Sequence, residues 1–471
     1  MDIPKTLGEL KASGYRVKSV KEEMRDNLIQ MMKEGVPFLE GIVGYDDTVI
    51  PELQNAILSK HDILLLGLRG QAKTKILRQL VRLLDEQIPI VQGSEVNDNP
   101  YQPISKYGRD LLAKHGDRMP IEWIGRDRRY QEKLATPDVT IADLIGDVDI
   151  VKHAEGRYLS DELTIHYGLV PRTNRGIFCI NELPDLAPRV QVGLFNVLEE
   201  RDIQIRGYAV RLPLDMCLVF SANPEDYTSR GRIVTPLKDR IGSVIRTHYP
   251  RTRQQGIEIM VQQAWLRRDS HGLYVPRYIY EIVEETVRLA RAHPAVNQHS
   301  GVSVRFSISG SENVVSNAER RAILLAEYPA VPRISDLDAM LASGRGKIEL
   351  ALVEELEQED AVLVKLIAAA VKSVFEHYAE PKELREVVEW FEAGNSFRTG
   401  DRLPAKVYVE QYQQCAPVQS ATAIIGERMG LKIGELQPPA LASLIEFLLE
   451  GLHVNNRLSK QRKENQTTYR R

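Results

Sequence analysis

The chain has 471 residues, which is too long for one ordinary hydrophobic core, so about two to four domains are expected. Its 62 Lys and Arg residues nearly balance its 65 Asp and Glu residues, so the charge favours neither nucleic acid nor any other strongly charged partner. The cysteines are odd in number and far apart, which excludes a disulfide framework and a cysteine metal site, and we expect packing roles for Cys179, Cys217 and Cys415.

Residues 1–40 are expected to form an N-terminal helical segment. Val20–Glu34 carries Met24, Leu28 and Met31 at helical spacing. This segment lacks the apolar stretch of a secretory signal. Nowhere does an apolar run approach the ~20 residues of a membrane helix. We therefore expect a cytoplasmic protein without a membrane partner.

Residues 41–250 alternate short apolar runs with amphipathic stretches. This pattern is typical of an α/β domain with a mainly parallel sheet between helices. A hairpin is also expected over Asp202–Leu214, with its turn at Gly207-Tyr208. The predicted strands are Ile63–Leu66, Pro89–Val91, Ile121–Ile124, Ile177–Ile180 and Cys217–Ala222.

The remainder of the chain has a helical pattern. Residues 251–330 predict a helical lid domain, and residues 331–471 predict a mainly helical C-terminal extension. The tail Arg457–Arg471, with six basic residues and one Glu, is expected to be frayed and solvated, with contact to an acidic partner as the alternative. The predicted helices are Arg253–Arg267, Val275–His293, Ile348–Glu357, Ala361–Tyr378 and Leu441–Leu452.

A glycine-containing turn follows the first predicted strand and precedes a helix, which is the setting of a phosphate-binding loop. Backbone N–H groups of such a turn bind phosphates, while Lys73 would reach the β and γ phosphates and Thr74 would bind Mg²⁺ directly. Ala72 stands where glycine is usual, and its methyl group would shift a loop that needs positive φ. The alternative is a simple strand-to-helix turn. The expected nucleotide contacts are Gly67, Gly70, Gln71, Ala72, Lys73 and Thr74.

Polar side chains follow two later strands. Asn181 and Glu182 end the run that begins at Gly176, and Asn223 ends the run Cys217–Ala222. In a P-loop ATPase the first position orders Mg²⁺ through water, and the glutamate polarises the attacking water. Asn181 replaces the expected Asp and brings no negative charge, which predicts weaker Mg²⁺ retention. Asn223 would orient the water, although an isolated Asn-Pro would be only a turn.

With these motifs the sequence resembles the AAA+ superfamily over about residues 40–310, and most closely the clade of the MoxR ATPases and the magnesium-chelatase ATPase subunit. The resemblance implies a P-loop AAA+ core, an α-helical lid and a helical extension. It places Ile42 and Val43 against adenine. Further stretches that carry it are Leu134–Asp149, Pro188–Glu200, Asp202–Leu214, Asn223–Glu225, Thr235–Arg240 and Val302–Arg305.

The resemblance also implies roles for two arginines. Arg240 would be a finger that reaches the γ phosphate of a neighbouring subunit, and Arg305 would contact phosphates from the lid. The alternatives are a surface salt bridge from Arg240 to Asp239 or Glu225, and an ordinary helix residue at position 305. Rival finger candidates are Arg172, Arg230 and Arg232.

The implied activity is ATP hydrolysis with Mg²⁺ at the subunit interfaces of a hexameric ring. The implied partners are a von Willebrand A domain protein and a client that is remodelled, matured or loaded with metal. A non-hydrolysing scaffold, motivated by Ala72 and Asn181, and a magnesium-chelatase-type subunit remain alternatives. Glu182, Asn223, Arg240 and Arg305 together favour hydrolysis over the scaffold. Neither a basic stripe nor a helix-turn-helix pattern favours action on nucleic acid.

Overall fold

The computed structural model describes residues 3–148, 165–204, 211–224, 233–268, 272–350, 356–463 and 466–471. The chain divides into two compact units, Met1–His248 and Tyr249–Arg471. The finer division into residues 1–40, 41–250, 251–330 and 331–471 stays a prediction.

The first unit contains a five-stranded sheet and three two-stranded pairs. Its strands are β1 (Ile63–Leu66), β2 (Gln87–Val91), β3 (Ile121–Gly125), β4 (Tyr130–Leu134), β5 (Gly146–Val148), β6 (Ile165–Tyr167), β7 (Gly176–Asn181), β8 (Asp202–Gln204), β9 (Arg211–Pro213), β10 (Met216–Ala222) and β11 (Ser243–Arg246). Its helices are α1 (Leu7–Ala12), α2 (Val20–Glu34), α3 (Val49–Leu58), α4 (Lys73–Gln79), α5 (Lys106–His115), α6 (Ile141–Leu144), α7 (Leu169–Arg172), α8 (Pro188–Gly193), α9 (Phe195–Glu199) and α10 (Thr235–Arg240).

The main sheet has the order β11-β1-β10-β7-β4, and every neighbouring pair is parallel. This confirms the predicted α/β class with a parallel sheet. In the register, Leu66 lies beside Ala222, Phe220 beside Ile180, and Leu134 beside Asn181. The carboxyl ends of β1, β10 and β7 therefore meet at one edge, which places the residues that follow them close together.

Side chains alternate across this sheet and form two separate cores, as the period of a strand requires. Phe178 and Phe220 point into one core, whereas Cys179 and Cys217 point into the other. Burial raises the pKa of both thiols to about 12, so they remain neutral packing groups. Cys415 is also buried and free, as expected for a packing residue.

Two of the five predicted strands lie outside the main sheet, because β2 and β3 pair with each other in antiparallel fashion. The edge strands of the main sheet are β4 and β11, which the sequence did not predict. The side chains of β4 are only half-buried or exposed, so this edge strand lacks an apolar signature.

The predicted hairpin is present, since β8 pairs antiparallel with β9. Its expected turn at Gly207-Tyr208 lies outside the described residues. The helix predicted over Pro188–Glu200 is two shorter helices, α8 and α9. The break falls at Leu194, where the backbone N–H bonds to the carbonyl oxygen of Gln191.

The second unit is mainly helical and has one core, which extends from Ile257 to Tyr469. Among the described helices, none combines the length and apolar character needed to cross a membrane. The predicted helix over Ile348–Glu357 is wrong in its first part, because Leu350 instead forms a bridge with Val296. The helices are α11 (Arg253–Gln263), α12 (Arg277–Ala292), α13 (Arg305–Leu325), α14 (Met340–Gly344), α15 (Leu356–Tyr378), α16 (Arg385–Glu392), α17 (Ala405–Gln413), α18 (Ala416–Arg428) and α19 (Pro438–Val454).

The described residues of the C-terminal tail form two strands, so the prediction of a frayed tail is wrong. Ser459–Lys463 (β13) and Gln466–Arg470 (β14) form a hairpin that pairs with Phe397–Thr399 (β12). Tyr469 is buried and donates to Glu450, which also accepts from Lys460 at 2.8 Å. These polar contacts attach the hairpin to α19, whereas the side chains of β13 are exposed, as expected for a solvated segment.

Candidate active site

The loop between β1 and α4 has the backbone form of a tight phosphate-binding turn. Strand β1 is wholly buried, and helix α4 begins directly after the loop, at Lys73. Gly70 and Ala72 both have left-handed backbones, with φ of +75° and +58°. At position 72 the left-handed conformation costs a side-chain-bearing residue about 1 kcal/mol relative to glycine. The methyl group of Ala72 is thus tolerated at a position that favours glycine.

Side-chain contacts from neighbouring elements fix this loop. Thr247 Oγ1 donates to Gln71 Oε1 at 2.7 Å, and Tyr45 Oη donates to the Gln71 carbonyl oxygen at 3.0 Å. A Cβ on Gly67 would lie 1.9 Å from Thr247 Oγ1, so position 67 requires glycine. The side chain and carbonyl oxygen of Gln71 therefore bind other parts of the protein. Its backbone N–H is the group suited to phosphate.

Three residues predicted for the site are joined by hydrogen bonds across the ends of β1, β10 and β7. Lys73 Nζ donates to Asn223 Oδ1 at 2.8 Å, and Asn223 Nδ2 donates to Glu182 Oε2 at 2.8 Å. Lys73 Nζ also donates to the carbonyl oxygens of Gly67 and Leu68. The ammonium group is buried and the Glu182 side chain is half-buried, so a cation, an amide and a carboxylate meet at the sheet edge.

Asn181 has a second set of partners, which sequence reasoning missed. Its Oδ1 accepts from Ser221 Oγ at 3.0 Å, and its Nδ2 donates to Glu132 Oε1 at 2.5 Å. Arg78 on α4 holds the same carboxylate through Nε at 2.7 Å and Nη2 at 3.0 Å. Hydrogen bonding to Glu132 raises the pKa of Arg78. No sequence signal marked Glu132, because only the pairing of β4 with β7 brings it to Asn181.

These residues fit a magnesium nucleotide. Mg²⁺ prefers oxygen donors, and Thr74 and Asn181 supply a hydroxyl and an amide oxygen. Lys73 and the loop N–H groups suit phosphate oxygens. Across the described residues, no group of three or more His, Cys, Asp and Glu side chains could hold a metal without other ligands. The donor set therefore suits a magnesium ion that phosphates and water also coordinate.

The segment expected to pack adenine lies in a loop before α3. Ile42 and Val43 are half-buried, and Ile42 packs against the core beneath α4. Lys75 Nζ on α4 donates to the Gly41 carbonyl oxygen at 2.8 Å, which joins this loop to the helix that follows the phosphate-binding turn. Contact between adenine and these residues stays a prediction.

The structure describes three of the five arginine candidates, Arg172, Arg240 and Arg305. Arg240 Nε donates to Glu199 Oε2 at 2.7 Å, and its guanidinium lies 5.1 Å from the Phe195 ring centroid. Its salt-bridge partner is thus Glu199 and not Asp239, while Glu225 lies outside the described residues. Arg305 is exposed at the start of α13 in the second unit, and Arg172 is exposed at the end of α7. The rivals Arg230 and Arg232 lie outside the described residues.

Neither a protein-family model nor a curated protein matches the chain. Solved structures do match the chain, and three of them are a magnesium chelatase subunit complex, NtrX and RuvB. The complex between subunits BchI and BchD of magnesium chelatase matches at 20% identity and TM-score 0.35, covering 67% of this chain and 96% of that one. NtrX from Brucella abortus with ADP matches at 13% identity and TM-score 0.37, covering 78% and 66%.

A mutant of RuvB from Thermotoga maritima matches at 11% identity and TM-score 0.34, covering 89% of this chain and 91% of that one. At such identities and TM-scores, none of these likenesses assigns a function to the chain. The chemistry of the site must therefore be judged from its own residues.

Proposed function

We propose that this chain is an ATPase of the AAA+ type that hydrolyses ATP at the carboxyl edge of its parallel sheet. The observation that carries the proposal is the hydrogen-bonded series Lys73, Asn223 and Glu182. Each member follows a different strand, or the loop after it, so the fold brings together three groups that are far apart in the sequence. A simple strand-to-helix turn with an incidental lysine does not account for that convergence.

Each group has a task in phosphoryl transfer to water. Lys73 binds β- and γ-phosphate oxygens, which compete for Nζ with the carbonyl oxygens of Gly67 and Leu68. Glu182 accepts a proton as a water oxygen attacks the γ phosphorus, and Asn223 orients that water. The bond from the γ phosphorus to the bridging oxygen breaks, which gives ADP and inorganic phosphate. Mg²⁺, when bound by Thr74 and through water by Asn181, neutralises phosphate charge.

We further propose, from the family resemblance, that the site is completed in a ring, with six subunits as the expected number. Arg240 is the proposed trans finger, and its contacts with Glu199 and Phe195 exchange for phosphate at the subunit boundary. Arg305 is the proposed second phosphate contact. A partner with a von Willebrand A domain and a remodelled or metal-loaded client in the cytoplasm complete this proposal.

A second candidate is a nucleotide-dependent scaffold that does not hydrolyse ATP. One observation favours it: both polar atoms of the Asn181 amide already have protein partners, Ser221 and Glu132. The carboxylate of Glu182 favours hydrolysis instead, because a binding platform has no need of a general base beside Asn223.

Steady-state ATP hydrolysis, measured against protein concentration with Mg²⁺, tests the proposal. We expect a rate per subunit that rises with concentration and is lost in Glu182→Gln. Glu34→Gln, at an exposed carboxylate at the end of α2, is the matched control and should leave the rate unchanged. A wild-type rate equal to that of Glu182→Gln at every concentration would contradict hydrolysis and support the scaffold.

A further inference from the structure

The carboxylate of Glu132 lies beside Asn181, which replaces the aspartate expected at the end of β7. Strands β4 and β7 are parallel, and Leu134 lies opposite Asn181 in the register. Glu132 is two residues before Leu134, so its side chain is on the same face of the sheet as that of Asn181. The two side chains meet there, with Nδ2 of Asn181 and Oε1 of Glu132 separated by 2.5 Å.

The partners of Asn181 fix the orientation of its amide. The Ser221 hydroxyl donates to Oδ1, so the opposite side of the amide presents its N–H₂ group to Glu132. An aspartate at position 181 would place two carboxylates in contact at this point. The amide at 181 is therefore matched to the carboxylate at 132.

Glu132 is also tied to the helix that carries Thr74. Arg78, which binds the carboxylate through two nitrogen atoms, is four residues beyond Thr74 and shares its face of α4. The side chain of Arg78 is 63% exposed, whereas that of Glu132 is 21% exposed. Glu132 is therefore the more buried member of the ion pair, and its carboxylate also contacts Asn181.

We propose that Glu132 supplies the negative charge of the magnesium site, with Asn181 as its amide partner, so that carboxylate and amide have exchanged positions. Glu132 is a positioning residue that acts through Asn181 and through the field at the phosphate-binding loop. This inference rests on the proposed function, because it assigns a charge to the same magnesium–nucleotide site. It also explains how Asn181 is compatible with a working site.

The test measures the Mg²⁺ concentration that gives half-maximal binding of a fluorescent ATP analogue, so it does not depend on hydrolysis. We expect Glu132→Gln to raise that concentration about tenfold, as loss of an outer partner of a metal site does. Glu132→Asp keeps the charge and should stay closer to wild type. The control Glu34→Gln should match wild type.

The double variant Glu132→Gln/Asn181→Asp separates a charge role from a structural one. It restores one carboxylate and one amide at the pair but leaves Arg78 without its carboxylate. We expect its Mg²⁺ requirement to return to within about twofold of wild type. A merely structural Glu132, needed only for Arg78, would leave the double variant as impaired as the single one.

Two results overturn the inference alone: Glu132→Gln binding like wild type, or the double variant failing to recover while its thermal unfolding midpoint matches that of the single variant. Absence of Mg²⁺-dependent nucleotide binding by wild type would instead overturn the proposed function and this inference together.

Discussion

The sheet edge of the first unit and the tail hairpin of the second unit both place charged groups in protein interiors, and they do so differently. At the sheet edge, Lys73 is bound by two carbonyl oxygens and by Asn223, with Glu182 half-buried at the end of the series. At the hairpin, the carboxylate of Glu450 on α19 accepts hydrogen bonds from Tyr469 and Lys460.

The difference lies in what can replace the protein partners. Phosphate oxygens can accept the hydrogen bonds that Lys73 Nζ donates to its protein partners, so these hydrogen bonds at the sheet edge are exchangeable. Burial beside Glu450 raises the pKa of Tyr469 well above its usual value, so that hydroxyl stays a neutral donor to the carboxylate. The first network is suited to binding, and the second to stability.

The largest expected effect on nucleotide affinity is that of Lys73→Ala. Loss of a charged donor to phosphate should weaken binding of an ATP analogue by about 100-fold, equivalent to about 3 kcal/mol. Calorimetric titration measures this change. Lys114→Ala, an exposed lysine of α5, should bind like wild type. Equal affinities for wild type and Lys73→Ala would exclude the loop as the phosphate site.

Asn181→Asp should lower the free energy of unfolding of the first unit by about 2 kcal/mol in the absence of Mg²⁺. The substitution replaces the hydrogen bond to Glu132 with repulsion between two carboxylates. Urea unfolding with a chelator present measures the loss. The matched variant Glu132→Gln/Asn181→Asp should recover most of it, and unchanged stability of Asn181→Asp would refute the contact.

In the second unit, Tyr469→Phe should cost about 1–2 kcal/mol, because it removes a donor from the buried carboxylate Glu450. Urea unfolding followed by a probe in the second unit measures the change, and nucleotide affinity should stay unchanged. Tyr328→Phe, at an exposed tyrosine, is the control. A change in nucleotide affinity in Tyr469→Phe would show that the two networks are not separate.

The smallest effect is expected from Ala72→Gly. Glycine relieves the left-handed backbone at φ +58° but gains freedom in the unfolded chain, so the net stabilisation should be less than about 1 kcal/mol. Chemical denaturation compares the two proteins. A destabilisation by Ala72→Gly would mean that the Ala72 methyl group contributes packing that outweighs the backbone strain.

Local patterns predicted much of the parallel sheet. Apolar runs located β1, β7 and β10, and the polar residues after them were predicted site candidates because strand ends share an edge. The polar edge strand β4 escaped prediction, and with it Glu132, since edge strands need no apolar run. The strands of the tail were not predicted, because their hairpin contacts Glu450 on α19, and composition alone does not reveal that contact.

Single-turnover hydrolysis by wild type and Glu182→Gln, with nucleotide binding measured on the same samples, tests the central claim most directly. We predict that Glu182→Gln binds the nucleotide within about twofold of wild type and hydrolyses it about 1,000-fold more slowly, as loss of a general base requires. Equal single-turnover rates would contradict the assignment of Glu182 and the proposed ATPase mechanism.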